Sequence, residues 1–320
     1  MSTQQPQIGW IGLGNMGLAM ATNLQKHLAS RSLPPLLFTN RTLSRGDPLK
    51  ALGASASSSP TDIFSKCDLI FSCISDDEAV ESTYSTILSS LSPAELAGKF
   101  VFEMTTIHPD TSCRVSASLA ESGVTFLSVP VFGATVAAQN SQLILLLSGP
   151  PTAISAILPF ADGVLGRMHM NLGASVRTAP LLKLSGNAIL LSLVEVLSEA
   201  YAVADKSGLG SAPLSAFVEQ MFGGVMQQYS ERITKGLYAP PEGVKPSFAV
   251  ELALKDGKHA QGVARQAGAE TPTLDAALKN LKEARESRPG ELDSTSMYGT
   301  LRVKAGLPFY SDAVSKRADQ

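Results

Sequence analysis

Near the start of the chain, an apolar run leads straight into three closely spaced glycines: Gln7-Ile8-Gly9-Trp10-Ile11-Gly12-Leu13-Gly14-Asn15-Met16-Gly17. Gln7 to Gly12 reads as a short buried strand, and Ala19, Met20, Leu24 and Leu28 continue as a helix. A strand that enters a helix through G-x-G-x-x-G leaves few choices of fold. The first glycine permits the tight turn, the second lets a pyrophosphate approach the backbone, and the third lets helix pack on strand. The helix N-terminus then offers N–H donors and the positive end of its dipole to the phosphates. Gly12, Leu13, Gly14, Asn15, Met16 and Gly17 are therefore expected to bind a dinucleotide.

A second strand, Leu36 to Thr39, ends at Asn40-Arg41-Thr42. An acid that binds the ribose hydroxyls of NAD is expected about 20 residues after the turn, and none is there. Asn40 can donate hydrogen bonds, and Arg41 can pair with a 2′-phosphate or stack on adenine, with Arg45 near enough to help. The competing reading is a solvated loop arginine. These residues favour NADP over NAD. Strands and helices go on alternating. Strands are expected at Asp68 to Ile74, Lys99 to Glu103, Thr125 to Val129 and Leu143 to Leu147, and Ser55 to Ser59 as loop. Ligands bind at strand C-termini in an open α/β sheet, which makes Ser75 and Thr106 candidates for cofactor contacts. His108 reads as a loop or cap histidine.

After Gly173 the pattern becomes helical. The chain is expected to form a doubly wound α/β domain over residues 1–173 and an all-helical domain over 174–320, long enough for two cores. Helices are expected at Thr178 to Ser207, Ala212 to Phe222, Ser247 to Gly268 and Thr273 to Ser287. In the first, Thr178 suits an N-cap, Pro180 the first turn, and Lys206 with Gly208 the end. Ser185, Ser192, Glu195 and Glu199 fall on one stripe, expected to be the wet one. Lys183 and Asn187, four apart, lie off it. A lysine there is paired, snorkelling or functional. Lys183, Asn187 and two glutamates interrupt the run and argue against a membrane span. Net charge is −2, which argues against non-specific nucleic-acid binding. Cys67, Cys73 and Cys113 form no metal spacing, the four histidines are scattered, and no metal site is expected. Met1 to Gln7 carries no apolar or Arg-rich signal, and the protein is expected to be cytosolic.

With these residues in place, the chain resembles the β-hydroxyacid dehydrogenase family over nearly its whole length. Gly12 to Gly17, followed by Met20-Ala21-Thr22-Asn23-Leu24, is similar to the family's N-terminal signature. Lys183-x-x-x-Asn187 is similar to its catalytic signature, Lys255-Asp256 to its C-terminal pair, and Thr105-Thr106 to its Ser/Thr pair at the nicotinamide end. The resemblance implies an active site between the two domains and Lys183 as the general acid/base. It further implies that Asn187 orients substrate or lysine, and that Lys255 meets the nicotinamide end with Asp256 in support. It implies hydride transfer between NADP(H) and a small hydroxy acid, semialdehyde or related carbonyl, and a homodimer or larger oligomer. One motif departs. Pro130-Val131-Phe132-Gly133-Ala134 stands where the family usually carries Pro-Val-Ser-Gly-Gly, whose serine helps hold the substrate carboxylate. Phe132, Gly133, Ala134 and Asp256 are the candidate substrate residues. The alternatives are a reductase of bulkier ketones or imines and a catalytically silent dinucleotide-binding interaction module.

Overall fold

A computed structural model describes residues 5–288 and 290–318; Met1 to Gln4, part of the opening segment judged above, lie outside it. Six short strands form a parallel sheet: β1 (Ile8–Ile11), β2 (Leu37–Thr39), β3 (Ser55–Ala56), β4 (Leu69–Ser72), β5 (Phe100–Glu103) and β6 (Thr125–Ser128). Their order is β3-β2-β1-β4-β5-β6, the doubly wound arrangement, with the direction of winding reversing between β1 and β4. Both faces are covered, so the strands read as continuous apolar runs. In register, Trp10, Phe71, Phe102 and Leu127 line one face, while Ile70, Val101 and Phe126 line the other. Trp10 stacks on Phe71 and donates its indole N–H to the Gly12 carbonyl at 2.8 Å, so this buried donor is paired.

The expected strand Leu143–Leu147 belongs to a second sheet, whose other two strands go beyond the sequence reading. β7 (Val131–Phe132) runs antiparallel to β8 (Leu143–Leu147), and β8 runs parallel to β9 (Gly166–Asn171). β9, Gly-Arg-Met-His-Met-Asn, is mostly exposed and too polar to stand out as a strand. Ser55 and Ala56, expected in a loop, pair with Leu37 and Phe38 at the sheet edge.

The chain divides into two compact units, Met1–Lys183 and Leu184–Gln320. The division falls inside one unbroken helix, Thr178–Ser207. Its start differs from expectation. The Leu181 amide bonds back to the Arg177 carbonyl, so Thr178 lies within the first turn, and the Ala179 amide is capped by the distant Ser148 hydroxyl at 2.9 Å. At its far end Gly208 takes φ +82° and the Gly210 amide reaches the Ala204 carbonyl, a glycine-terminated C-cap. The second unit is helical: Ser211–Met221, Gly224–Thr234, Val250–Gln266, Pro272–Ser287, Met297–Lys304 and Asp312–Ala318. Its core gathers Leu184, Leu191, Val194, Leu197 and Tyr201 with Val250, Leu254, Leu281, Met297 and Tyr298. Glu195, expected in water, is 1% exposed and accepts a hydrogen bond from Asn280. Its Cα lies on the same side as Ser192 and Glu199, but Asn280 and Lys304 give its carboxyl a polar place inside the bundle.

Candidate active site

The three motif glycines behave differently. Gly12 takes φ +94°, and a Cβ there would lie 2.3 Å from the Cys73 carbonyl oxygen. A Cβ on Gly17 would lie 2.3 Å from the Gly12 oxygen. On Gly14 a Cβ would meet nothing within 4 Å, so this is where a ligand can come against bare backbone. The helix Asn15–Ser30 begins there without a side-chain cap, leaving its first-turn donors for an anion. Open backbone and uncapped helix together fit a dinucleotide pyrophosphate. Leu13 is buried beneath the turn, and Met16 is contacted by the Thr135 hydroxyl at 3.8 Å.

Asn40 joins this turn in a way that sequence did not show. Its Oδ1 accepts the Leu13 N–H at 2.9 Å and its Nδ2 donates to the Thr42 carbonyl at 2.8 Å. Much of its hydrogen-bonding capacity thus braces β2 against the glycine turn. Arg45 reaches the Asn15 side chain at 3.3 Å. Arg41 and Thr42 are exposed, and Arg41 makes no ion pair among the described residues. Across the reversal, Ser75 is exposed just before Asp76, which caps the helix Asp77–Ser90 through the Ala79 amide. Thr106 is half-buried in the loop after β5. His108 caps the next helix, accepting the Asp110 N–H on Nδ1.

The first unit also brings Phe132 to Lys183. Phe132 ends β7, half-buried, and the Lys183 Nζ lies 4.4 Å from the centroid of its ring. Gly133, at φ +134°, and Ala134 follow as an exposed turn leading to the Met16 contact. In the second unit, buried Asn187 donates from Nδ2 to Asp256 Oδ2 at 2.6 Å, and Lys255 Nζ lies 3.3 Å from Asp256 Oδ1. The Asp256 carboxylate, 4% exposed, thereby holds the other two side chains. Among the described residues, no three His, Cys, Asp or Glu side chains are grouped to hold a metal ion.

Fold and site together define a nicotinamide-dependent oxidoreductase. Residues 7–170 match the family described as the NAD binding domain of 6-phosphogluconate dehydrogenase, and residues 178–301 match that described as the NAD-binding of NADP-dependent 3-hydroxyisobutyrate dehydrogenase. The chain belongs to the β-hydroxyacid dehydrogenase family. It is 30% identical to glyoxylate/succinic semialdehyde reductase 1 of Arabidopsis thaliana over 305 residues, which cover 92% of this chain and 98% of that one. It is 29% identical to an NADH-dependent oxidoreductase of Aspergillus ustus, with the same two coverages. Its fold matches the 3-hydroxyisobutyrate dehydrogenase of Mycobacterium tuberculosis with a TM-score of 0.75, at 20% identity over 93% of this chain and 100% of the other.

Proposed function

We propose that this protein is an NADP(H)-dependent oxidoreductase that interconverts a carbonyl and a hydroxyl, with a site suited to substrates longer than the smallest hydroxy acids. The observation that carries this reading is the Lys183 amine against the Phe132 ring, four residues before the Asp256-bound Asn187 on the same helix. Gly12 to Gly17, Arg41, Ser75 and Thr106 would hold the cofactor, which supplies or accepts the hydride when bound. Lys183 Nζ gives a proton to the carbonyl oxygen in reduction and takes it from the hydroxyl in oxidation. The ring face attracts the ammonium and holds the stem. With Nδ2 committed to Asp256, Asn187 keeps Oδ1 as an acceptor for lysine or substrate.

NADP is favoured because Asn40-Arg41, and not an acid, comes directly after β2, and Arg41 makes no ion pair among the described residues. A charge-assisted Arg–phosphate contact contributes on the order of 1.5–3 kcal/mol, roughly ten- to a hundredfold in affinity. NADPH should therefore bind that much more tightly than NADH, and Arg41→Ala should remove the difference. Equal affinities in the wild type would reject it. The activity test follows absorbance of NADPH and NADH with glyoxylate, succinic semialdehyde and longer ketones. Phe132 supports the reading as a reductase of bulkier ketones on the same fold, and Lys183 speaks against imines. Cofactor binding with no turnover on any carbonyl would leave only an interaction module. Cys67, Cys73 and Cys113 stand outside any disulfide, which suits a reducing, cytosolic setting.

A further inference from the structure

Glu103 is an exception in its own strand. The rest of β5 is Phe100, Val101 and Phe102, and Glu103 is 1% exposed among them. A carboxyl in such a place is costly to bury unless its oxygens are hydrogen-bonded. Here both are. Oε1 accepts the Thr105 backbone N–H at 2.9 Å, and Oε2 accepts the Tyr84 hydroxyl at 2.7 Å. Thr105 passes the contact on, because its Oγ1 accepts the Ile74 N–H at 2.9 Å. One buried carboxyl thus links three pieces: the helix Asp77–Ser90 that carries Tyr84, the loop after β5 and the loop after β4. Burial pushes the carboxyl above its ordinary range, and the Thr105 and Tyr84 donors pull it back.

These loops have a definite place in the sheet. β2, with Asn40 and Arg41 at its end, lies on one side of the glycine turn, and β4 and β5 lie on the other. A dinucleotide with its pyrophosphate on the turn and its adenosine at the β2 end has its second half on the β4–β5 side. We propose that Glu103 and Tyr84 are a positioning pair for the nicotinamide half of the cofactor, fixing the loops at 74–75 and 105–106 without touching the cofactor. This rests on the oxidoreductase reading above.

The test is calorimetric binding of NADPH and NADH, each beside its adenine half, adenosine 2′,5′-bisphosphate or ADP. Tyr84→Phe removes one donor to Glu103, and Thr105→Val removes the acceptor of Ile74 while keeping the side chain's shape. Each should weaken the whole dinucleotide by about three- to tenfold, the scale of one hydrogen bond, and leave the adenine half within about twofold. Glu103→Gln keeps the length and an acceptor for Thr105, so it should retain more dinucleotide affinity than Glu103→Asp. A brace for the fold at large would weaken whole and half ligands alike. Equal weakening, or none in either conservative variant, overturns the proposal. Wild-type protein that binds no dinucleotide overturns the oxidoreductase reading itself.

Discussion

The Phe132 ring offers no donor to a carboxylate and instead lies against the Lys183 amine. Losing one hydrogen bond to a charged group weakens binding by about 1.5–3 kcal/mol, while apolar contact recovers about 0.8 kcal/mol per buried methylene. Substrates two or three carbons longer should therefore recover the loss. Phe132→Ser should raise kcat/KM for glyoxylate relative to a longer or aromatic ketone; an unchanged ratio would remove Phe132 from specificity. Lys183→Met keeps much of the stem volume and loses the proton. It should bind NADPH much as wild type does and lose about 10²–10⁴-fold in kcat, the range of general acid catalysis. Stopped-flow turnover beside cofactor titration decides it, and a variant above about a tenth of wild-type kcat, outside that range, is incompatible with lysine as the acid.

At the scale of elements, local spacing carried most of the reading. The glycine turn, five strands of the parallel sheet and the helix Thr178–Ser207 were legible because their apolar patterns and turn residues are local. β3 and β9 were not, since the first is two residues long and the second mostly exposed. Gly224–Thr234 is rich in polar side chains and opens on the second of two glycines, which hid it. Of the site, motif residues were legible, but the Asn40 brace, the Ser148 cap and the Lys183–Phe132 contact join residues far apart in sequence. Glu195 is the instructive failure. Helical spacing placed it on a wet stripe, yet Asn280, from another helix, takes it inside. Burial pushes its carboxyl up to about 7, with nearby Glu199 and Glu283 pushing the same way and the Asn280 bond and Lys304 opposing. The folded state then holds this proton more tightly than the unfolded one. Its contribution is fully present below the ordinary glutamate range and is lost as pH rises through about 7. Glu195→Gln should abolish roughly 1–3 kcal/mol of that loss, seen as a smaller difference between melting temperatures at low and high pH. Parallel pH curves for the two proteins would show that Glu195 does not titrate in this range.

At the scale of the whole molecule, the long helix shows two apolar faces. One, with Leu184, Leu191, Val194, Leu197 and Tyr201, fills the core of the second unit. The other is uncovered: Ile189 is 68% exposed, Val196 49% and Val203 66%, each seven residues from the next. By length and composition this helix could cross a membrane, with mean hydropathy 1.5 over its most apolar window. Its inner face is instead built into the bundle, and Ser185 and Glu199 lie exposed beside the outer stripe. Phe217, Met221, Phe222 and Val225 add exposed apolar surface at the next helical corner, where the two rings pack at 5.9 Å. Exposed apolar rows like this stripe suit a partner. A second copy suits the stripe, because a twofold axis at Val196 sets that residue against itself and Ile189 against the partner's Val203. The protein should therefore run as a dimer or larger oligomer in light scattering at micromolar concentration. Val196→Lys should shift it toward monomer, because a charge set against its own copy at the axis cannot be paired. A wild-type monomer would contradict this, and co-sedimentation with lipid vesicles would assign the stripe to a membrane surface instead.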